Sequence, residues 1–216
     1  MPPIPDQLLQ AFLQACHQAG ARRLLLCSSG NLSLRLDPQT MLISCSQSWL
    51  GDLTAQDVSI VRIADATLLH GKRPSVETRF HAGILASRPD VNVVFHFQSP
   101  CATILACRPP NTTNYNIIPE VPFYLGPVAE IPWHTPGSPE LAAAVIAALQ
   151  SHDIANLDHH GQVTVAPSLA HALQNAEFFE LAAHTLVHGG PTLQPLTPEA
   201  TQTLLALRQK SRTSGV

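Results

Sequence analysis

Charge is the scarcest commodity in this chain. Only 12% of its 216 residues are Asp, Glu, Lys or Arg, against about a quarter in an ordinary soluble domain. Its 12 Lys and Arg, set against 15 Asp and Glu, leave a net charge of −3. Without a basic stripe nothing displaces counterions from a polyanion, so nucleic acid is excluded as a partner. Long apolar runs are missing as well. None approaches the ~20 residues needed to cross a bilayer. The opening Met1-Pro2-Pro3-Ile4-Pro5-Asp6 has neither the cationic end nor the apolar stretch of an export signal. The expectation is a cytoplasmic protein with no membrane contact. Cysteines are few and unpaired in spacing: Cys16, Cys27, Cys45, Cys101 and Cys107 are odd in number, which supports neither a disulfide framework nor a zinc ribbon. Internal repeats and low-complexity tracts are absent.

What is present is apolar mass. Hydrophobic residues make up 45% of the chain, enough for a sizeable core, and the length suits one domain over residues 1–216. A surface this poor in charge is either buried in part against copies of the same chain or dominated by Ser, Thr, Gln, His and Pro; composition leaves both open.

Asp6 can cap a helix carrying Leu8, Leu9, Phe12, Leu13 and Cys16 at helical spacing and ending near Gly20. Leu32-Ser33-Leu34-Arg35-Leu36 alternates strictly, which predicts a half-buried strand, with Met41-Leu42-Ile43 as its hairpin partner across Asp37-Pro38. Val58 to Ile63 predicts a strand and Ser75 to Ser87 a helix with Ser75 as its cap. Val91 to Phe97 is a continuous apolar run of strand type, followed by a short helix from Pro100 to Cys107. A Pro-, Asn- and Thr-rich loop from Arg108 to Pro136 holds a short strand at Val128 to Ile131. Ser138-Pro139-Glu140 starts a helix to Gln150, because Pro is tolerated in a first turn. Strands at Ile154 to Leu157 and Gln162 to Val165 flank a His-His-Gly corner, and helices follow at 168–187 and 198–209. This order of strands and helices argues for an α/β fold with a central, mostly antiparallel sheet and no doubly wound nucleotide-binding sheet.

Four places could carry chemistry. In Phe95-His96-Phe97-Gln98 the side chains of His96 and Gln98 share a strand face at the end of a buried strand; alone, His96 reads more readily as a hydrogen-bonded core histidine than as a metal ligand. In Asp158-His159-His160-Gly161 two adjacent histidines cannot both face one point, so one ligates or catalyses while the other packs or faces solvent. Glu77, at a helix start, is either a partner for the helix dipole or a metal ligand or general base; His81 lies one turn further along the same face. The Gly30-Asn31 turn, with Ser46 and Ser75, could cradle a phosphate through backbone amides and hydroxyls.

Taken together, Ser29-Gly30-Asn31-Leu32-Ser33, Leu42-Ile43-Ser44, Leu53-Thr54, Arg73 to His81, Arg88 to His96, Pro136 to Leu141 and His159-His160-Gly161-Gln162-Val163 resemble the class II aldolase/adducin family in order and spacing, across roughly residues 6 to 190. The resemblance implies a three-layer αβα fold, a fourfold tetramer with sites between neighbouring subunits, and a divalent metal, typically Zn2+, held by three histidines with a nearby glutamate. By position it implies Glu77 as the catalytic carboxylate and His96 and His160 as metal ligands. Gln98 stands where the family has a second strand histidine, and His159 where it has an asparagine. A neutral amide in place of an imidazole lowers zinc affinity, and His134 is a possible substitute. For the phosphate of a sugar-phosphate substrate the resemblance implies Gly30, Asn31, Ser46 and Ser75, with Gln47 and Val76 where a glycine and a second serine would stand.

Three activities are consistent with these residues. The first is a metal-dependent aldolase that cleaves a ketose 1-phosphate to dihydroxyacetone phosphate and an aldehyde. The second is a lyase that dehydrates methylthioribulose 1-phosphate, and the third is a scaffold without chemistry, like the adducin head.

Overall fold

The computed structural model describes residues 4–214, and for residues 213 and 214 the backbone alone; Met1-Pro2-Pro3, part of the opening read above for an export signal, lie outside them. In chain order the elements are α1 (Asp6–Ala21), β1 (Asn31–Arg35), β2 (Thr40–Ser44), β3 (Val58–Arg62), β4 (Leu68–His70), α2 (Thr78–Ser87), β5 (Val93–Phe97), α3 (Pro100–Ala106), β6 (Val128–Ile131), α4 (Pro139–Ala148), β7 (Ile154–Leu157), β8 (Gly161–Ala166), α5 (Leu169–His188) and α6 (Pro198–Ser214). The eight strands form one sheet in the order β4-β3-β2-β1-β5-β8-β7-β6. Every pairing is antiparallel except β6 with β7. That pair is joined through α4, since parallel neighbours need a crossover.

Period-two alternation divides the core between the two faces. On one face Leu32, Leu34, Val93, Phe95 and Phe97 pack with Phe12 of α1, Ala102 of α3 and Phe179 of α5. On the other, Met41, Ile43, Val94 and Val163 pack with Phe80 and Ile84 of α2 and with Leu141 and Val145 of α4. The result is the three-layer αβα arrangement with a mostly antiparallel sheet. Among the described residues no helix is long and apolar enough to cross a membrane.

Several boundaries differ from expectation for identifiable reasons. α2 begins at Thr78, because Ser75 to Glu77 form a turn in which Thr78 N–H bonds Ser75 O instead of a helical capping turn. Asp6 falls inside the first turn of α1, after Pro5. β4 was not foreseen, being three exposed residues at the sheet edge with no alternation to reveal it. α6 runs to Ser214, beyond the expected 209, and is tied down by ion pairs rather than by a buried apolar stripe.

Register sets up the site. Asn31, the first residue of β1, sits beside His96 of β5, and His96 sits beside Val163 of β8. The β7–β8 turn, which carries His160, therefore closes over the same end of the sheet.

Candidate metal centre

Three unconnected segments converge at this sheet end. The stretch before α2 is pinned to β2 by an isolated Cys45–Pro74 bridge and by Ser75 N–H donating to Ser44 O at 3.2 Å. This anchoring places Glu77 over the strand ends. His96 projects from β5 toward the α2 side, opposite Phe95 and Phe97. His160 comes from the β7–β8 turn, where His159 takes a left-handed backbone (φ 52°) and donates its N–H to Ala106 O. The turn separates the two histidines: the exposed His159 ring bonds Asp158 Oδ1 at 2.6 Å, and His160 turns inward. Gly161 is required by space. A Cβ there would lie 2.6 Å from Gln98 Cγ, 2.7 Å from Phe97 O and 3.1 Å from His96 Cε1.

Glu77, His96 and His160 each offer one ligand atom within 4.8 Å of the others. His96 Nε2 lies 3.5 Å from Glu77 Oε2, and His160 Nε2 lies 3.5 Å from Glu77 Oε1. The His96 ring is fixed from behind: its Nδ1 is 2.9 Å from Gln162 O. A carbonyl only accepts, so Nδ1 carries the proton and Nε2 presents its lone pair to the cluster, as a ligating histidine must. Burial, aided by His96 and opposed by Glu77, pushes the His160 imidazole down to about 4, which keeps it neutral near pH 7.

The residues fit a divalent cation. Glu77 is only 4% exposed, yet its Oε1 has no hydrogen-bond partner among the described residues. Leaving a carboxylate oxygen buried and unpaired is costly unless a cation satisfies it. Two imidazoles and a carboxylate make a three-donor set of the kind that keeps a coordination position open for substrate.

The other expected residues are distributed around this cluster. Gln98 packs its Cγ against Gly161 on the side of His96. Asn31 commits its side chain to neighbours, donating from Nδ2 to Glu77 Oε2 at 2.8 Å and accepting at Oδ1 from His81. Gly30 holds φ +77° with the His96 carbonyl 2.6 Å from where a Cβ would stand. Ser75 Oγ accepts the Glu77 N–H at 3.3 Å. Ser46 lines a cleft of about 480 Å³ together with Gln47, Ser48, Lys72, Arg73 and Val76. Glu77 does not line that cleft, but its chain neighbour Val76 does. His134 is not part of the cluster. Of the tyrosines, Tyr115 bonds Glu130 and Asn156, and Tyr124 stacks on Phe178. Sequence reasoning did not single out Ser33, whose Oγ is 2.7 Å from His81 Nδ1, and left His81 without a role. The outward signal for Ser33 was slight: a polar residue inside an alternating strand.

Comparison with known proteins agrees with the geometry. Residues 10–187 match the family model described as Class II Aldolase and Adducin N-terminal domain. A 3-oxo-tetronate 4-phosphate decarboxylase from Haemophilus influenzae is 32% identical over 158 residues, covering 72% of this chain and 75% of the relative. An L-fuculose phosphate aldolase from Methanococcus vannielii is 30% identical over 172 residues, covering 80% of this chain and 91% of the relative. Among solved structures, YgbL from Escherichia coli, described as a candidate aldolase/epimerase/decarboxylase, superposes with a TM-score of 0.87 at 27% identity, covering 92% of this chain and 98% of its own.

Proposed function

Since the chain belongs to the class II aldolase and adducin family, we propose that it is a metal-dependent lyase that breaks the carbon–carbon bond between the α and β carbons of a small phosphorylated hydroxyketone. The preferred reaction is decarboxylation of a 3-oxo acid 4-phosphate. The observation that carries this reading is that Glu77 is the one acid–base carboxylate in the cluster, facing two imidazoles and otherwise unpaired at Oε1.

The chemistry of the two relatives' substrates supports the reading. In 3-oxo-tetronate 4-phosphate the carboxylate is β to the ketone. Loss of CO2 leaves its electron pair on C2, and a proton delivered to C2 gives dihydroxyacetone phosphate. Retro-aldol cleavage of a ketose 1-phosphate leaves the same dihydroxyacetone phosphate enediolate, with an aldehyde departing in place of CO2. A divalent ion, with Zn2+ as the first candidate, would be held by His96, His160 and Glu77 and would supply Lewis acidity toward the charge developing on the ketone oxygen. Glu77 handles the proton at the carbon next to the ketone. His96, locked by Gln162 O, keeps its lone pair aimed inward. Gln98, beside Gly161, stands ready as a weak neutral ligand. Decarboxylation asks for one proton delivery to carbon, which one carboxylate provides by taking the proton from water and passing it on. Aldol cleavage also asks for removal of a hydroxyl proton. Of the two phenols that could take it, Tyr115 is engaged by Glu130 and Asn156, and Tyr124 stacks its ring on Phe178.

For the substrate phosphate we assign Gly30, Asn31, Ser46 and Ser75. Asn31 frames the pocket without binding the anion itself, because its side chain is committed to Glu77 and His81 and its backbone pairs with His96 in the sheet. The cleft beside Ser46 has Arg73 on its wall, which supports an anionic group there; Lys72 on the same wall is paired with Asp57 at 2.8 Å. Half-exposed Trp49 and Trp133 support burial in a homo-oligomer, with a tetramer as the family arrangement, and a cytoplasmic location goes with this reading.

The ketose 1-phosphate aldolase remains the second reading, favoured by the fuculose phosphate aldolase that aligns over 91% of its own length. One experiment separates the possibilities. Protein reconstituted with Zn2+ is given 3-oxo-tetronate 4-phosphate, L-fuculose 1-phosphate or methylthioribulose 1-phosphate, while dihydroxyacetone phosphate and CO2 are followed. CO2 together with dihydroxyacetone phosphate from the first substrate is the expected result. Dihydroxyacetone phosphate from the second alone establishes the aldolase, and water loss from the third without it establishes the dehydratase. Absence of turnover on all three, with no bound metal, would leave the silent scaffold.

A further inference from the structure

A line of buried polar side chains runs from the sheet interior to Glu77. Ser33 Oγ is 2.7 Å from His81 Nδ1, His81 Nε2 is 2.5 Å from Asn31 Oδ1, and Asn31 Nδ2 is 2.8 Å from Glu77 Oε2. Ser33 and His81 are fully buried and Asn31 is 6% exposed. The members come from β1 and α2, which Arg35 of β1 also joins by donating to Leu85 O of α2 at 2.6 Å.

We infer that Ser33, His81 and Asn31 form a directional relay that positions Glu77, holding Oε2 and leaving Oε1 as the oxygen aimed at the metal and substrate. This inference rests on the metal-enzyme reading above.

The direction of the relay follows from the inventory of donors and acceptors. An ionised carboxylate only accepts, so the Asn31 amide must turn Nδ2 toward Glu77. Its Oδ1 then faces His81 and requires a donor, which makes Nε2 the protonated ring nitrogen. A neutral imidazole has a single N–H, so Nδ1 is left as an acceptor and Ser33 must donate to it. Each assignment leaves the next no choice. Burial, with the nearby His96 adding to it, holds His81 well below the usual histidine range, in keeping with a neutral ring.

The consequence lies at Glu77. With Oε2 tied to Asn31, rotation of the carboxylate about its last bond breaks a hydrogen bond, so Oε1 stays where His160 and a shared cation meet it. Without the relay the carboxylate turns freely, and the donor set loses its preorganised third member. Partners behind a ligand characteristically change metal affinity by about 10- to 100-fold when removed. His81 and Ser33 are positioning residues: neither touches the cluster.

The test compares the full-length parent with His81→Phe, His81→Gln and Ser33→Ala. Co2+ is titrated into each, with calorimetry for affinity and visible absorption for ligand geometry. Circular dichroism verifies that each variant folds. His81→Phe keeps the ring volume but has no donor, and should bind Co2+ about 10- to 100-fold more weakly with an altered spectrum. His81→Gln restores an N–H near the Nε2 position and should recover most of the affinity. Ser33→Ala should show a smaller loss, and it carries the test if His81→Phe does not fold.

In the metal-free parent, long-range proton–nitrogen correlations should show the His81 proton on Nε2; a proton on Nδ1 overturns the relay. So does a parent that binds Co2+ while His81→Phe and Ser33→Ala bind it equally well with the same spectrum. A parent that binds no Co2+ at all instead overturns the metal-enzyme reading, and the relay's function with it.

Discussion

Two carboxylates near opposite ends of β7 show how differently one fold can treat the same chemical group. Asp153, just before the strand, accepts from Arg88 at 3.0 Å, from Arg208, and from Arg212 at 2.5 Å. Glu77, by the turn that follows the strand, has one neutral amide at 2.8 Å, two imidazoles at 3.5 Å and an oxygen, Oε1, with no hydrogen bond among the described residues. The first is saturated with fixed positive charge from its own chain, and its effect is to clamp α6 to the body. The second is buried more deeply, at 4% exposure against 13% for the Asp153 side chain, and left incomplete. An incomplete buried charge survives selection for stability only where something outside the chain completes it. That contrast separates a structural carboxylate from a working one without reference to any relative.

The largest expected effect tests the working side. Glu77→Gln should lower kcat by about 10³-fold, within the usual range for loss of a general acid–base. The melting temperature of the metal-free protein should stay level or rise, because an unpaired buried charge has gone. A steady-state assay and a thermal melt read both. If kcat falls and the melting temperature drops in parallel, Glu77 is structural and the contrast with Asp153 fails.

The mirror experiment is Asp153→Asn. Removing the shared acceptor leaves three guanidinium groups facing one another, and the expected cost is about 3 kcal/mol of stability. Urea denaturation measures this, while kcat/KM should stay within about twofold of the parent's. A large loss of turnover at unchanged stability would place the α6 clamp in the active site and erase the division drawn here.

A finer test sits at Gln98, one residue past the end of β5 and beside Gly161 like His96. Gln98→His offers a third imidazole to the cluster and should tighten Zn2+ binding by roughly tenfold, since zinc prefers imidazole to a neutral amide oxygen. Competition with a chromophoric chelator measures it. Unchanged affinity would mean that the side chain at 98 does not reach the ion.

How much of this was legible beforehand depended on whether a residue's neighbours in the chain announced it. Glu77, His96 and His160 were readable because each sits in a distinctive local string. The alternating strand of Leu32 to Leu36 and the apolar run to Phe97 fixed the sheet around them. Ser33 and His81 were not readable in the same way. Ser33 occupies an ordinary polar slot in an alternating strand, and His81 an ordinary helical position. What makes them partners is the β1–α2 packing that brings residues 48 apart to 2.7 Å. Asn31 was expected to act on phosphate, and nothing in the Gly-Asn turn discloses that its amide is occupied by Glu77 and His81. The edge strand Leu68–His70 escaped for a simpler reason: three exposed residues carry no period.

The smallest expected effect separates the two ends of β7 by pH alone. In the metal-free fold His160 is depressed to about 4 by burial first and by His96 second, whereas in the unfolded chain it titrates near the ordinary histidine value of about 6.5. Between those values the unfolded state holds a proton that the native state does not, so stability falls as pH falls. For one such histidine the loss is about 1 kcal/mol between pH 6.5 and 5.5, and it levels off below the native value. His81, held low by burial, adds to the slope in the same direction. The clamp behaves differently. Two of its arginines also meet Asp90, Arg88 at 2.6 Å and Arg212 at 3.4 Å; Arg88 holds the Asp90 carboxyl below its usual range chiefly through their hydrogen bond, so the contribution of Asp90 is intact above about pH 4 and disappears only as pH falls through the lowered native value. Denaturation of the metal-free protein at pH 7, 6.5, 5.5 and 4.5 should therefore register the histidine end alone, with a shallower slope in His81→Phe. Equal stability at pH 6.5 and 4.5 would show that these imidazoles are not buried in the neutral form, and that the end of the sheet assigned to chemistry is as fully compensated as the clamp.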